Sequence, residues 1–145
     1  MAYWLMKSEP DVFSYDDLEA KTAKGEAEEW HGVRNYLARN NMREMKVGDL
    51  VFFYHSNIGR EIVGIARVAH ESHPDSTAEP NAKGQIVWDC VDLEAVKPFP
   101  RAVTLAEIKA TEELSEIELI KYSRLSVSRI SETEWALLCK MGGLS

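Results

Sequence analysis

The alternation of apolar and polar positions divides the chain into short segments of changing period. "AYWLMKS" opens in the β-favouring range and stops at Glu9-Pro10, which predicts a strand from Ala2 to about Lys7. Ser14, followed three positions later by Asp17, has the form of a capping box, and a helix is expected from there to about Thr22. After the charged loop "KGEAEE", Val33, Tyr36, Leu37 and Met42 recur at helical spacing. They predict a second short helix, broken near Asn40-Asn41. Gly48-Asp49 marks a turn that feeds an apolar strand from Leu50 to His55. "EIVGIARVAHES" reads as the next strand, with Gly64 a bulge or a point of close approach.

"PDSTAEPNAKG" has the composition of a loop. "QIVWDCVDLEAV" alternates Ile86, Trp88 and Cys90 against Val87, Asp89 and Val91, as a strand with one core face does. Three S/T-x-x-E stretches begin at Thr104, Ser115 and Ser131, and each predicts a short helix. Between the last two, "RLSVSRI" alternates Leu125 and Val127 with Ser126 and Ser128 and predicts a strand. Gly142-Gly143 closes the final helix. There is no repeat, no linker and no regular βαβ alternation. The pattern therefore describes one α+β domain over residues 1–145, built on a small curved sheet or barrel flanked by short helices. Within it Trp4, Phe52, Phe53, Tyr54 and Trp88 read as core residues.

A hydrophobic fraction of 45% and a charged fraction of 28% are those of an ordinary soluble protein. The apolar runs fall far short of the ~20 residues of a membrane helix, and "MAYWLMKSEP" lacks the features of a signal peptide. No membrane association is expected, and the cytoplasm is the default location. Cys90 and Cys139, without CxxC spacing, are expected to be reduced core residues. The net charge of −7 argues against non-specific coating of nucleic acid, which depends on phosphate neutralisation. The charge is segregated, however: residues 1–30 hold 3 basic against 8 acidic side chains, and residues 31–60 hold 5 against 2.

The phosphate-loop, dinucleotide and nucleophile-elbow patterns are absent. His70 and His73 lie three apart, but no Cys or further His stands beside them in ligand spacing, and they read as part of a solvent-facing loop. No catalytic residue, metal ligand or cofactor is assigned. What remains is a set of polar and aromatic residues at the ends of elements. Trp30 falls in a loop outside any amphipathic period, and Lys7-Ser8, Arg34-Asn35 and Ser56-Asn57 follow strands or turns, where site residues usually lie. Arg39, Arg43 and Lys46 recur at helical spacing, either as a solvated face or as phosphate contacts.

"YWLMKSEP", "WHGVRNYLARNNMREMKVGDLVFFYHSN", "HPDST", "VTLAEIKA" and "SRLSVSRI" followed by "EW" resemble, in order and over nearly the whole chain, the EVE domain family. The resemblance implies a PUA-like fold, related to the SRA and YTH domains that hold a modified nucleobase. It further implies a pocket formed by Lys7, Ser8, Trp30, Val33, Arg34 and Asn35, faced by Tyr54, His55 and Ser56 and by Leu125, Ser126 and Val127. The expected role is that of a non-enzymatic reader that flips a modified base, such as 5-methylcytosine, out of DNA or RNA, with the chain a monomer by default. The alternatives are an enzyme or RNA-processing factor acting on a nucleotide in the same pocket, and a protein-interaction module. This chain departs from the family pattern at Asn41, where an apolar residue is expected, at "GQIVWD", where Lys-Trp is expected, and at His73, where Tyr is expected.

Overall fold

The computed structural model describes residues 1–144. Six strands form one open mixed sheet in the order β2-β5-β4-β3-β1-β6. They are β1 (Tyr3–Ser8), β2 (Glu28–Glu29), β3 (Leu50–His55), β4 (Glu61–Pro74), β5 (Asp89–Thr104) and β6 (Val127–Ile130). Five α-helices among the described residues flank it: α1 (Tyr15–Ala23), α2 (Tyr36–Glu44), α3 (Leu105–Lys109), α4 (Glu118–Lys121) and α5 (Glu132–Met141). The architecture is the expected α+β arrangement, with the sheet left open rather than closed into a barrel.

Strand alternation sorts the apolar side chains into two cores. Trp4, Met6, Val51 and Phe53 face one way and pack with Leu18 of α1 and Met42 of α2. Leu5, Phe52 and Tyr54 face the other way and pack with Ile108, Leu119 and Trp135 of α3, α4 and α5. Both faces are thus covered, which explains why β3 reads as a continuous apolar run. The register of β4 against β5 shifts at several points, and these bulges bend the long pair. Gly64 sits at one of them, where a Cβ would come within 2.6 Å of the Tyr15 ring. Pro98 and Pro100 lie where β5 has only β4 as a neighbour, because β2 pairs no further than Asp92 and Leu93.

Several expectations change. Ser14, Thr104 and Ser131 each close a capping box, but Ser115 ends a 3₁₀ turn at Glu112–Leu114, and α4 starts at Glu118 without a side-chain cap. Helix α2 runs unbroken through Asn40-Asn41. Its apolar stripe is also rotated from the one expected: Tyr36 and Leu37 are exposed, while Ala38, Asn41 and Met42 are buried. Asn41 is held there because its Nδ2 donates to the Val127 carbonyl at 2.8 Å, tying α2 to β6, the strand at one edge of the sheet. Strand β5 begins at Asp89, so Trp88 is a half-buried loop residue and not part of a strand core. Cys90 is buried but belongs to neither apolar cluster.

Candidate functional site

β1 and β3 are the parallel pair of the sheet, so their C-terminal ends arrive side by side. Lys7 stands opposite Tyr54 and Ser8 opposite His55. The Ser56 amide donates to the Ser8 carbonyl at 2.9 Å, which extends the pairing into the turn. The antiparallel β6 approaches from the other side, and the Lys7 amide donates to the Ser126 carbonyl at 3.0 Å. Three segments far apart in sequence thereby meet at Lys7.

The Lys7 ammonium donates to the Ser123 carbonyl at 2.8 Å and lies 6.0 Å from the Tyr54 ring centroid. Burial lowers its pKa. The side chain separates two clefts. One, of about 350 Å³, is walled by Ser8, Phe13, Glu28, Glu29, Trp30 and His31. The other, of about 530 Å³, is walled by Tyr54, Ser56, Asn57, Arg60, Lys109 and Ser123. A third, of about 310 Å³, meets the second at Ser123 and is lined by Asn35, Leu37 and Tyr122 to Leu125. Of the expected pocket residues, Lys7, Ser8 and Trp30 line the first hollow, Lys7, Tyr54 and Ser56 the second, and Asn35 and Leu125 the third, whereas Val33, Arg34, His55, Ser126 and Val127 line none of the three.

Their individual environments differ. Trp30 is 8% exposed, with its amide donating to the Val91 carbonyl at 2.8 Å and its ring edge-on between Phe13 and Phe53. The indole is a core residue that shows a narrow strip to the first cleft. Val33, Leu125 and Val127 are buried in the same core. Asn35 caps α2, its Oδ1 accepting the Ala38 amide at 2.9 Å, so one end of the amide is committed to the fold. The His55 Nε2 accepts the Tyr15 amide at 3.1 Å, and burial lowers the pKa of the ring. Both effects favour the neutral imidazole. The Ser8 hydroxyl donates to the Phe13 carbonyl at 2.5 Å.

The arginines do structural work that sequence spacing does not reveal. Arg34 pairs with Asp75 at 3.0 Å, and the same carboxylate accepts the Gly32 amide at 2.7 Å and the Thr77 amide and hydroxyl at 2.7 and 2.6 Å. Burial opposes the charge of Asp75, but the donors from Thr77, Gly32 and Arg34 outweigh it and hold the carboxyl well below the usual carboxylate range. Arg39 donates to the Val87 carbonyl at 2.9 Å, and Arg43 forms an ion pair with Asp89. These contacts satisfy much of the hydrogen-bonding capacity that a phosphate would use. Lys46 is exposed and in no ion pair among the described residues. Tyr36 stacks on Trp88 at 4.8 Å, with the Arg39 guanidinium 4.9 Å from the Tyr36 ring.

Sequence reasoning missed Asp75, Arg60, Lys109 and the Tyr36–Trp88 stack. The Asp-Ser-Thr of "HPDST" is a turn signal that marks Asp75, whereas Arg60 and Lys109 come together only through the tertiary fold. The solvent-facing loop expected around His70 and His73 is instead the C-terminal part of β4, and β5 places Cys90 and Asp92 directly across from it.

Residues 2–141 match the model of the EVE domain. The chain belongs to the EVE domain family. An uncharacterized protein of Schizosaccharomyces pombe is 38% identical over 94% of this EVE chain and 66% of its own length. Thymocyte nuclear protein 1 of Mus musculus is 34% identical over 96% of this chain and 73% of its own. The chain thus spans about two thirds to three quarters of these relatives. The crystal structure of Agrobacterium tumefaciens protein Atu2648 is 50% identical, covers 99% of this chain and 94% of its own, and superposes with a TM-score of 0.91. Human thymocyte nuclear protein 1, solved in complex with 5-methylcytosine containing DNA, is 30% identical, covers 100% of this chain and 99% of its own, and gives a TM-score of 0.88. An ASCH protein of Zymomonas mobilis, at 10% identity and a TM-score of 0.61, shares the fold. These neighbours set the EVE sheet among the PUA-like folds.

Proposed function

We propose that this EVE domain binds nucleic acid at the clefts on either side of Lys7 and holds a modified cytosine, 5-methylcytosine in DNA being the leading candidate, turned out of its strand. The observation that carries the reading is the likeness, over the whole of this chain, to the human relative solved with 5-methylcytosine containing DNA. The local chemistry supports it. A base presents a flat face and a polar edge, and needs an apolar wall beside a few fixed polar groups. The smaller cleft supplies Phe13 and a strip of Trp30 as wall. Glu28 and Glu29 line its rim, and the Glu28 carboxylate, whose Oε1 accepts from Lys21 at 2.7 Å, has a second oxygen to accept from the amino group of cytosine, while the Lys7 ammonium suits the ring acceptors. The same carboxylates repel phosphate. The larger cleft, with Lys7, Arg60 and Lys109, attracts it. A base on one side of Lys7 and its backbone on the other is the arrangement that these charges favour. Nothing in the set resembles an activated nucleophile, and the reading is one of binding without turnover.

Fluorescence anisotropy with duplexes carrying one 5-methylcytosine or one cytosine, and with the matching RNAs, tests the proposal. The modified duplex is expected to bind more tightly, and Lys7→Ala and Trp30→Phe to reduce that preference. Equal affinity for modified and unmodified strands of both polymers, or a preference unaltered in both variants, refutes it. Tighter binding of modified RNA than of modified DNA overturns the assignment of the polymer.

A further inference from the structure

We propose that Glu29, His73, Cys90 and Asp92 form a divalent-metal site suited to Zn²⁺, where β2, β5 and β4 run side by side next to the Trp30 cleft that Glu29 also lines. The four residues come from three neighbouring strands and are brought together by register. On β5, Cys90 and Asp92 are two apart and so share a face, the one opposite to the core residues Val91 and Leu93. On β2, Glu29 pairs with Asp92. On β4, His73 pairs with Cys90. The register shift between His70 and His73 sets three residues of β4 against two of β5, which turns both imidazoles toward Asp92.

One ligating atom from each of the four residues lies within 4.8 Å of the other three. The His73 Nε2 is 2.8 Å from Asp92, and the Cys90 Sγ is 3.7 Å from each nitrogen of the same ring. Around a tetrahedral Zn²⁺ with ligand bonds of about 2.0–2.3 Å, the donor atoms stand roughly 3.3–3.6 Å apart. The His73–Asp92 contact must open and the outer atoms close in by rotamer-scale movements. Thiolate, imidazole and carboxylate together select zinc over magnesium or calcium, which take oxygen donors.

Groups around the four residues are placed to orient them. His70 Nδ1 lies 3.0 Å from the second Asp92 oxygen, and the Ser76 hydroxyl bonds Glu29. The carboxylates of Glu29 and Asp92 stand beside the buried thiol, and a cation is the group such a set of donors stabilises. Binding displaces the thiol proton to the buffer, so that a thiolate–metal bond replaces the S–H bond. The ion would also fasten β2, the two-residue strand that leads into Trp30, to β5 and β4.

The test uses the full chain, stripped with a chelator and titrated with Co²⁺ at neutral pH. The expected result is one Co²⁺ per chain, with the visible absorption of a tetrahedral ion and a near-ultraviolet thiolate-to-cobalt band, both lost when Zn²⁺ is added. Cys90→Ser is expected to remove the thiolate band, and His73→Gln to weaken Zn²⁺ binding by at least roughly 100-fold, while Cys139→Ser changes neither. Circular dichroism of each variant establishes that it is folded. Absence of a thiolate band in the wild type, or a band kept in folded Cys90→Ser, overturns the proposal. Because the readout is metal binding alone, its failure is distinct from a failure to bind modified DNA.

Discussion

Replacing Asp75 with Ala should cost about 3 kcal/mol of stability, even though its partners are solvent-accessible. The carboxylate is 2% exposed and accepts from the Gly32 amide, the Thr77 amide and hydroxyl, and Arg34. Hydrogen bonds to a charged acceptor contribute about 1.5–3 kcal/mol each. Gly32 and Thr77 are exposed and recover water once the carboxylate is gone, so each of their bonds counts at or below the lower end. Arg34 is 39% exposed, and its pairing adds less than about 1 kcal/mol after screening. At roughly 2–4 °C per kcal/mol for a chain of this size, Tm falls by about 6–12 °C. Asp75→Asn should cost nearly as much, because its NH2 is set against groups that themselves donate. Urea unfolding monitored by tryptophan fluorescence gives the free energy directly. A loss under about 1 kcal/mol in Asp75→Ala, or an Asn variant equal to wild type, would refute the reasoning. Modified-DNA affinity should fall with either change, since Asp75 holds the turn that carries Val33, Arg34 and Asn35.

Three further outcomes are expected. Gly64→Ala drives a methyl into the Tyr15 ring, which is fixed by its hydroxyl bond to Ile65 at 2.7 Å and by its contact with Phe53, and should cost about 1–3 kcal/mol in chemical denaturation. His55 has a lowered native pKa, so its neutral form is favoured in the fold while the unfolded ring protonates near the usual value of about 6.5. Its contribution is therefore full above that pH and declines as pH falls toward the native value. His55→Gln, which keeps an acceptor for Tyr15, should flatten this part of the profile in urea titrations at pH 7.5 and 5.5. Arg60→Ala and Lys109→Ala should each reduce the salt slope of DNA binding by about 1 and weaken modified and unmodified strands alike, as measured by anisotropy against salt concentration.

Features encoded over a few residues could be read directly from the chain. Strand β3 lies at the expected residues because an apolar run follows a Gly-Asp turn, and the boxes at Ser14, Thr104 and Ser131 satisfy orphan amides within four positions. The box at Ser115 failed because a 3₁₀ turn already closes at that serine. The exposed face of α2 was misread because periodicity registers apolar residues and not their partners. Asn41 is buried for the sake of a carbonyl 86 positions away, while Tyr36 turns outward to stack on Trp88. The basic run of residues 34–43 suffered similarly, since its neutralising Asp75 and Asp89 lie across a fold that linear charge counting does not include. The convergence of His73 with Cys90 and Asp92 depends on one bulge in β4, which leaves no mark in residue spacing.

The loop between β4 and β5 is clasped near both ends by neighbouring side chains. Arg34 fastens Asp75 at its start, while Arg39 and Arg43 fasten Val87 and Asp89 at its finish. Between these clasps the turn at Asn81 to Gly84 closes on itself, the Asn81 side chain and carbonyl accepting the amides of Lys83, Gln85 and Gly84. Beyond Ser76 and Thr77, which hold to Glu29 and Asp75, residues 79–85 make hydrogen bonds only within this turn among the described residues. Inserted residues there add only the slowly growing entropy of a longer loop. For an engineer this is a docking port: a fluorophore or affinity tag spliced at Lys83-Gly84 would ride on the domain without altering β1, which carries Lys7, or β2, which leads into Trp30.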